Sequence, residues 1–405
     1  MKLLEYKQYN NSDEEKTLNK KKVTIAITIL IILLVLIISV VAYVASPKVR
    51  NFMDKYILFK SVNENDLAYI NIDTENNIYT YAFHNYVVIL ENQKLTLYNS
   101  SGNEVDSFNV SISSPIFASQ DNYLVIAEKG QQKMYLIKDK KILWDKDVEG
   151  QISRVNVNQN GYVSVVVSGT SYKSVITTYA ENGSEVFKTF LSNTLAVDVD
   201  ISRDNKYLSF CEMDLSGSLI ESKVKTISID KAKQDPANAI IYTYEIPSNT
   251  LVTNIEYHEK DVLLCLCDNQ VYSLKDGKLE AIAGLSEYET TFCGIQLNKS
   301  YFKINENING INNQNSKVEI YNTSNNNSSV YEIEGIAKDV NSKDGVIAVN
   351  LGSEIYFINE MGWLVKKYTS SQEIRGVVVS DNIAGIIYRN KIEFLGLWFI
   401  RPILK

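Results

Sequence analysis

Asp121-Asn122-Tyr123, Asn160-Gly161-Tyr162 and Asp204-Asn205-Lys206-Tyr207 are copies of one phrase, a polar turn followed by an aromatic residue that opens an apolar run. The phrase also occurs as His84-Asn85-Tyr86. Degenerate copies follow at Lys260-Asp261-Val262, Lys299-Ser300-Tyr301, Asp344-Gly345-Val346 and Asp381-Asn382-Ile383. Successive opening residues lie 37, 39, 45, 55, 39, 45 and 37 positions apart. Asn, Asp and Gly suit such turns because they tolerate left-handed backbone, and the Asn and Asp side chains bond back to it.

Working outward, each copy is followed by a short run of Val, Ile, Tyr, Phe or Thr bounded by polar residues, which is the signature of a strand. Farther along comes a strand, a glycine turn and another strand, as in LTLYNSSGNEVDSF, VITTYAENGSEVFKTF, VYSLKDGKLEAI and IYFINEMGWLVKKY. One unit therefore holds about four strands in about 42 residues, the size of a propeller blade. Such a unit cannot bury both its faces alone, so the blades must stack around an axis. Eight units need about 340 residues; residues 66–396 supply 331. The pattern predicts an all-β, closed eight-bladed propeller, with seven blades as the alternative. The last unit has strands at Arg375–Val379, Ile383–Tyr388 and Lys391–Leu395 and then runs out of chain. Leu67–Ile72 is expected to supply its fourth strand and remove the open edge.

Ahead of the ring, Val23 to Ala45 is an uncharged run of 23 residues following Lys20-Lys21-Lys22. That exceeds the ~20 apolar residues a helix needs to cross a bilayer. The expected order is a cytoplasmic tail (1–22), a transmembrane helix (23–45), a juxtamembrane stalk (46–65), the propeller (66–396) and an apolar tail (397–405). The lysine triplet places the N-terminus in the cytoplasm and the propeller outside. A cleaved signal peptide is the competing reading, with Val40-Val41-Ala42 as its cleavage motif. The length of the apolar core and Tyr43 ahead of Ala45 favour an uncleaved anchor. The tail, Leu397 to Lys405, is too short to span. It packs beneath the last blade or lies in the membrane interface.

The protein has 41 basic and 48 acidic residues. The first 22 carry +2, so the remainder carries −9. A surface of that sign repels phosphates, and nucleic acid is excluded as a partner. Four cysteines are too few for a disulfide scaffold. Cys265 and Cys267 alternate along one strand face, about 7 Å apart, where they do not bridge without distortion. They read as buried small hydrophobes or, alternatively, as part of a thiolate metal site.

Chemistry is sparse. His84 and His258 are the two histidines, and both read as exposed turn residues. There is no GxSxG, HExxH or phosphate-binding glycine loop. Asp198 and Asp200 share a strand face and read as solvated rim carboxylates. The innermost strand of each blade lines a propeller's channel, and by this register it carries Arg154, Asp198, Asn254, Lys338 and Arg375. Converging at one mouth, these five would bind a peptide or glycan anion. The competing reading is five separate rim charges.

Ser202-Arg203-Asp204-Asn205-Lys206-Tyr207-Leu208-Ser209-Phe210 resembles the inter-strand turn of WD40-like and TolB-like propellers. Lys138-Asp139-Lys140-Lys141-Ile142-Leu143-Trp144 resembles a quinoprotein-type blade, where a turn leads into a strand bearing Trp. The layout over residues 1–400 is similar to a bacterial family of unknown function that carries a membrane-anchored propeller on a single span. Quinoprotein blades carry Trp in most repeats, whereas here it occurs only at 144, 363 and 398. No quinone or calcium ligand set is assigned, and no cofactor or metal is expected. The resemblance implies a fold and leaves chemistry open. Two function classes follow: a non-catalytic binding or scaffolding module of the cell envelope, with a protein, peptide or glycan partner, or an enzyme at the channel mouth, either a degenerate quinoprotein-like oxidoreductase or a hydrolase.

Overall fold

The eight opening residues of the repeated phrase all fall within one position of the start of a blade's second strand. The computed structural model describes residues 20–46, 49, 53–54, 57–58, 60–63, 67–73, 75–169, 171–258, 262–285, 290–308, 314–325 and 327–397. The turns ahead of those strands hold left-handed backbone at His84, Asp121, Gly161, Asn205, Asn298, Asp344 and Gly345. Lys260 and Asp261, in the fifth copy, lie outside the described residues.

Among the described residues, the strands from Ala68 onward form eight antiparallel sheets in a ring, so the propeller has eight blades. Blades 1 to 6 span 78–109, 115–147, 151–191, 195–245, 252–284 and 290–334. Blade 7 spans 339–369, and blade 8 takes three strands from 376–396. In each blade the first strand is innermost. It runs from an entry face, where the chain arrives from the previous blade, to a turn face carrying the repeated phrase.

Ala68–Asn71 is the fourth strand of blade 8, paired antiparallel with Lys391–Phe394. The ring is thus closed by its own N-terminus, as the sequence predicts. One element differs from expectation. Ser61–Asn63, read from sequence as stalk, adds a fifth, parallel strand to blade 7 against Lys367–Thr369. The Lys60 ammonium donates to the Leu364 carbonyl at 2.6 Å, so the propeller unit begins at Lys60.

The blades stack on apolar faces with a few polar stitches between neighbours. Tyr135 of blade 2, fully stacked aliphatics such as Val88, Leu97 and Ile126, and Phe83 fill the space between blades 1 and 2. Trp144 of blade 2 donates its indole N–H to the Glu181 carbonyl of blade 3 at 2.9 Å. Gly183 makes room for that ring, because a Cβ there would sit 3.0 Å from the indole. Between blades 7 and 8 the buried Glu393 accepts from Lys391 at 2.5 Å and from the Tyr368 hydroxyl, which also meets the Tyr388 hydroxyl at 2.6 Å. Glu393 pairs across the ladder with Tyr69 of the closing strand, and Tyr368 with Val62 of the fifth strand. One buried network therefore underlies both N-terminal additions.

The first unit, residues 1–59, is separate. Its helix, Lys20–Ala45, is apolar all round after the three lysines that open it, and its side chains from Thr24 to Ile38 are exposed. Thr24–Tyr43 is long and apolar enough to cross a membrane. In the last turn of the helix, Tyr43 donates to the buried Asp54 carboxylate at 2.8 Å. Residues 398–405, including Trp398 and Phe399, lie outside the described residues.

Candidate functional site

First strands from all eight blades wall a central cavity of about 270 Å³. In blades 3, 4 and 5 each first strand carries a β-bulge at the same level, at 152/154, 196/198 and 252/254. A bulge re-aims the residue that follows it. The residues that follow are Arg154, Asp198 and Asn254, three of the five expected from sequence, and all line the cavity. Arg154 Nε stands 3.3 Å from Asp198 Oδ1. Asn254 Nδ2 donates to Asp198 Oδ2 at 3.3 Å, and the Ile255 backbone N–H donates to the same oxygen at 2.9 Å.

Lys338 and Arg375 fall one residue ahead of the first strands of blades 7 and 8. They are exposed on the entry face and do not line the cavity. All five expected residues lie eight or nine positions ahead of the repeated turn's opening residue, but five residues join the first two strands in blades 3 to 5 and only two and three in blades 7 and 8, so the same count there runs past the start of the first strand. Lys338 lies over Gly352, where a Cβ would come 2.5 Å from its Nζ.

Asp198 and Asp200 are buried, not solvated. Their second oxygens accept from the backbone of blade 5, at Ile255 and, for Asp200, at Tyr257 (2.6 Å). These carboxylates stitch one blade to the next. Burial raises the Asp198 carboxyl above its ordinary range despite Arg154, and pushes Asp200 up to about 7 against the bonds from Tyr257 and Ile201. Glu256, the residue of blade 5 at the level of Asp200, is raised well above the usual range by burial and by the Asp200 charge. Burial also raises Asp344.

The sequence reading missed Arg203, Glu256, Lys343 and Asp344 as cavity residues. Arg203 and Asp344 sit inside the repeated turn, which was read for its backbone alone. Lys343 reaches from blade 7 to the Tyr81 hydroxyl of blade 1 at 2.7 Å and to Ser119 of blade 2, and its ammonium lies 4.2 Å from the Tyr81 ring centroid. Arg203 Nη2 donates to Asn298 Oδ1 at 3.1 Å, from blade 4 to blade 6. Each cation of the cavity is thus engaged by protein groups, and Asp198, Asp200, Glu256 and Asp344 leave carboxyl groups in excess. Hydrogen-bonding groups of a partner suit this wall better than a free anion does.

Neither histidine lines the cavity. His258, expected to be exposed, is fully buried, with Nε2 2.6 Å from the Ile295 carbonyl of blade 6. His84 occupies its turn at φ 51° with partial exposure. Cys265 and Cys267 are free and buried with their sulfurs 3.8 Å apart, closer than the strand repeat alone suggests because the side chains lean together. The hydrogen bond between them and burial raise the Cys265 thiol strongly. Burial pushes Cys293 up to about 12.

An apolar helix of membrane-crossing length followed by an eight-bladed propeller with a polar channel defines the class. The chain belongs to the family of unknown function DUF5711, whose model matches residues 56–397. No curated protein sequence matches it. Among solved structures it is similar to Chaetomium thermophilum Sqt1, solved bound to the N-terminus of a ribosomal protein. The identity is 10% and the TM-score 0.52, covering 81% of this chain and 98% of that one. It is also similar to BamB from Moraxella catarrhalis, at 10% identity and a TM-score of 0.47 over 82% of this chain and 99% of that one. At such identities the likeness to Sqt1 shows the propeller fold alone.

Proposed function

We propose that the protein is a non-catalytic binding or scaffolding module held at the outer face of the cytoplasmic membrane by its N-terminal helix. The partner is an envelope protein, peptide or glycan. The observation that carries the reading is the Arg154–Asp198–Asn254 cluster. Three bulged strands aim these side chains at one level of a channel walled by every blade. A ring stitched blade to blade holds that cluster rigidly, so a partner meets preorganised groups at little ordering cost. Lys338 and Arg375, exposed on adjacent blades at the same face, add a basic rim that steers an acidic segment and sets its register.

The test is co-purification from detergent-solubilised membranes, with the intact chain as bait. Partners retained by the parent should fall at least about tenfold with Lys338→Glu/Arg375→Glu, as expected for reversed rim charges, and also with Asn254→Ala. Equal recovery with parent and variants contradicts the reading.

A further inference from the structure

Where a blade's third strand turns into its fourth, the turn sits on the turn face of the ring. In blades 1, 2, 3, 5 and 6 the described residues of these turns are 99–103, 139–140, 180–184, 276–277 and 323–325 with 327, polar or glycine but for Ala180. Blade 7 differs. Its turn is Asn359-Glu360-Met361-Gly362-Trp363, with Met361 46% and Trp363 48% exposed.

The backbone does not ask for those apolar side chains. In blade 7 the Asn359 side chain accepts from the N–H groups of Met361 (3.1 Å) and Trp363 (2.9 Å), and Gly362 N–H donates to the Asn359 carbonyl. In blade 1 Asn99 accepts in the same way from Ser101 and Asn103, and Gly102 bonds back to Asn99. The two turns share one geometry, with Asn first and a left-handed Gly fourth. Ser101 and Asn103 occupy the places of Met361 and Trp363. The turn geometry therefore does not account for a half-exposed Met and Trp where a polar pair builds the same turn.

The position of the turn says what it contacts. Ser61–Asn63 runs parallel to Leu364–Thr369, the strand that Trp363 leads into. The chain therefore enters the propeller from the Trp363 end of blade 7, with Lys60 bonded to Leu364. Blade 8 ends on the same face, since Leu397 N–H donates to Asn382 in a repeated turn and the Gly396 carbonyl accepts from Lys366 at 2.6 Å. Fifteen residue steps separate Lys60 from the end of the apolar helix at Ala45, which at full extension is about 50 Å. Tethering on that scale holds the turn at high effective concentration near the bilayer in which the helix sits. Trp is the residue best suited to the interface between headgroups and acyl chains.

We infer that the Met361–Trp363 turn inserts into the membrane interface as a second, peripheral contact that fixes the orientation of the propeller on its tether. This rests on the reading of the N-terminal helix as a membrane anchor. With both contacts made, the turn face at blade 7 meets lipid, and the entry face, with Lys338 and Arg375, is left to partners.

The test uses the full chain reconstituted in phosphatidylcholine–phosphatidylglycerol vesicles. In a Cys293→Ser background an environment-sensitive NBD label is placed at Met361→Cys or, diametrically across the ring, at Asn182→Cys in the equivalent turn of blade 3. Retention after an alkaline wash reports on the anchor. Doxyl-labelled lipid should quench the Met361→Cys probe severalfold more than the Asn182→Cys probe, and adding Trp363→Asn should abolish most of the difference. Because Trp363→Asn recreates the blade 1 turn, its melting temperature should match the parent's. A wash that removes the protein overturns the anchor and the inference together. Retention with equal, weak lipid quenching at both sites overturns the inference alone. So does a Met361→Cys probe shielded from both doxyl lipid and aqueous iodide, since another protein or a second copy then covers the turn.

Discussion

Glu393→Ala tests whether the buried network between blades 7 and 8 locks the ring shut. The Glu393 side chain is 1% exposed and its partner Lys391 16%. Removing the carboxylate takes away the acceptor 2.5 Å from the largely buried Lys391 ammonium, which keeps its contacts with the Tyr69 and Tyr388 rings, and takes the acceptor from the Tyr368 hydroxyl. Breaking a buried pair from one side costs about 3–5 kcal/mol, because the orphaned charge keeps its desolvation penalty. A folded unit of about 340 residues has an unfolding entropy of roughly 0.7 kcal/mol/K, so ~4 kcal/mol lowers the melting temperature by ~6 °C. That is a large share of the ~5–15 kcal/mol that holds a typical domain. Circular dichroism melts of parent and variant give the shift. The double variant Lys391→Met/Glu393→Leu, with no charge left to orphan, should recover at least half the loss. A single variant melting within about 1 °C of the parent would refute the reasoning, as would a double variant worse than the single.

Two further outcomes follow from the channel and the thiols. The raised carboxyls of Asp198, Asp200, Glu256 and Asp344 bind protons more tightly folded than unfolded. The propeller should therefore lose stability as pH rises from the ordinary carboxyl range through about 7, the Asp200 value, and melts at pH 5.5 should lie above those at pH 8; the opposite slope would contradict the burial argument. Cys211, Cys265 and Cys267 are buried, and burial raises the Cys211 and Cys265 thiols, so a thiol reagent at neutral pH should leave all three unlabelled until the ring is unfolded. Rapid labelling of any of them in the native protein would place that strand wrongly.

The fold was legible because its turns leave a chemical trace. Left-handed backbone selects Asn, Asp and Gly, and the same corner recurs once per blade, so Asp121, Gly161, Asn205 and Asp344 announce the period even where strands are degenerate. Closure was legible as well, since a last unit with three strands needs an edge partner. The site was less so. Counting back from the repeated turn assumes a turn of constant length, so Arg154, Asp198 and Asn254 were found in blades with five-residue turns, while Lys338 and Arg375, in blades with turns of two and three residues, were placed too deep. Asp198 and Asp200 look like solvated carboxylates because their acceptors' partners, the amides of Ile255 and Tyr257, come 57 residues later. His258 was misjudged for the same reason, as its carbonyl partner Ile295 belongs to the next blade. The short strand Ser61–Asn63 carries no period at all and borrows its order from blade 7.

The proposed function depends on the N-terminal helix spanning the membrane with the propeller outside it. Protease added to intact, wall-stripped cells reads this directly, with epitope tags at the two ends of the chain. The account predicts that the C-terminal tag is lost while the N-terminal tag, behind Lys20-Lys21-Lys22, survives on a fragment retained in the membrane. A protected C-terminal tag would place the propeller in the cytoplasm and contradict the account.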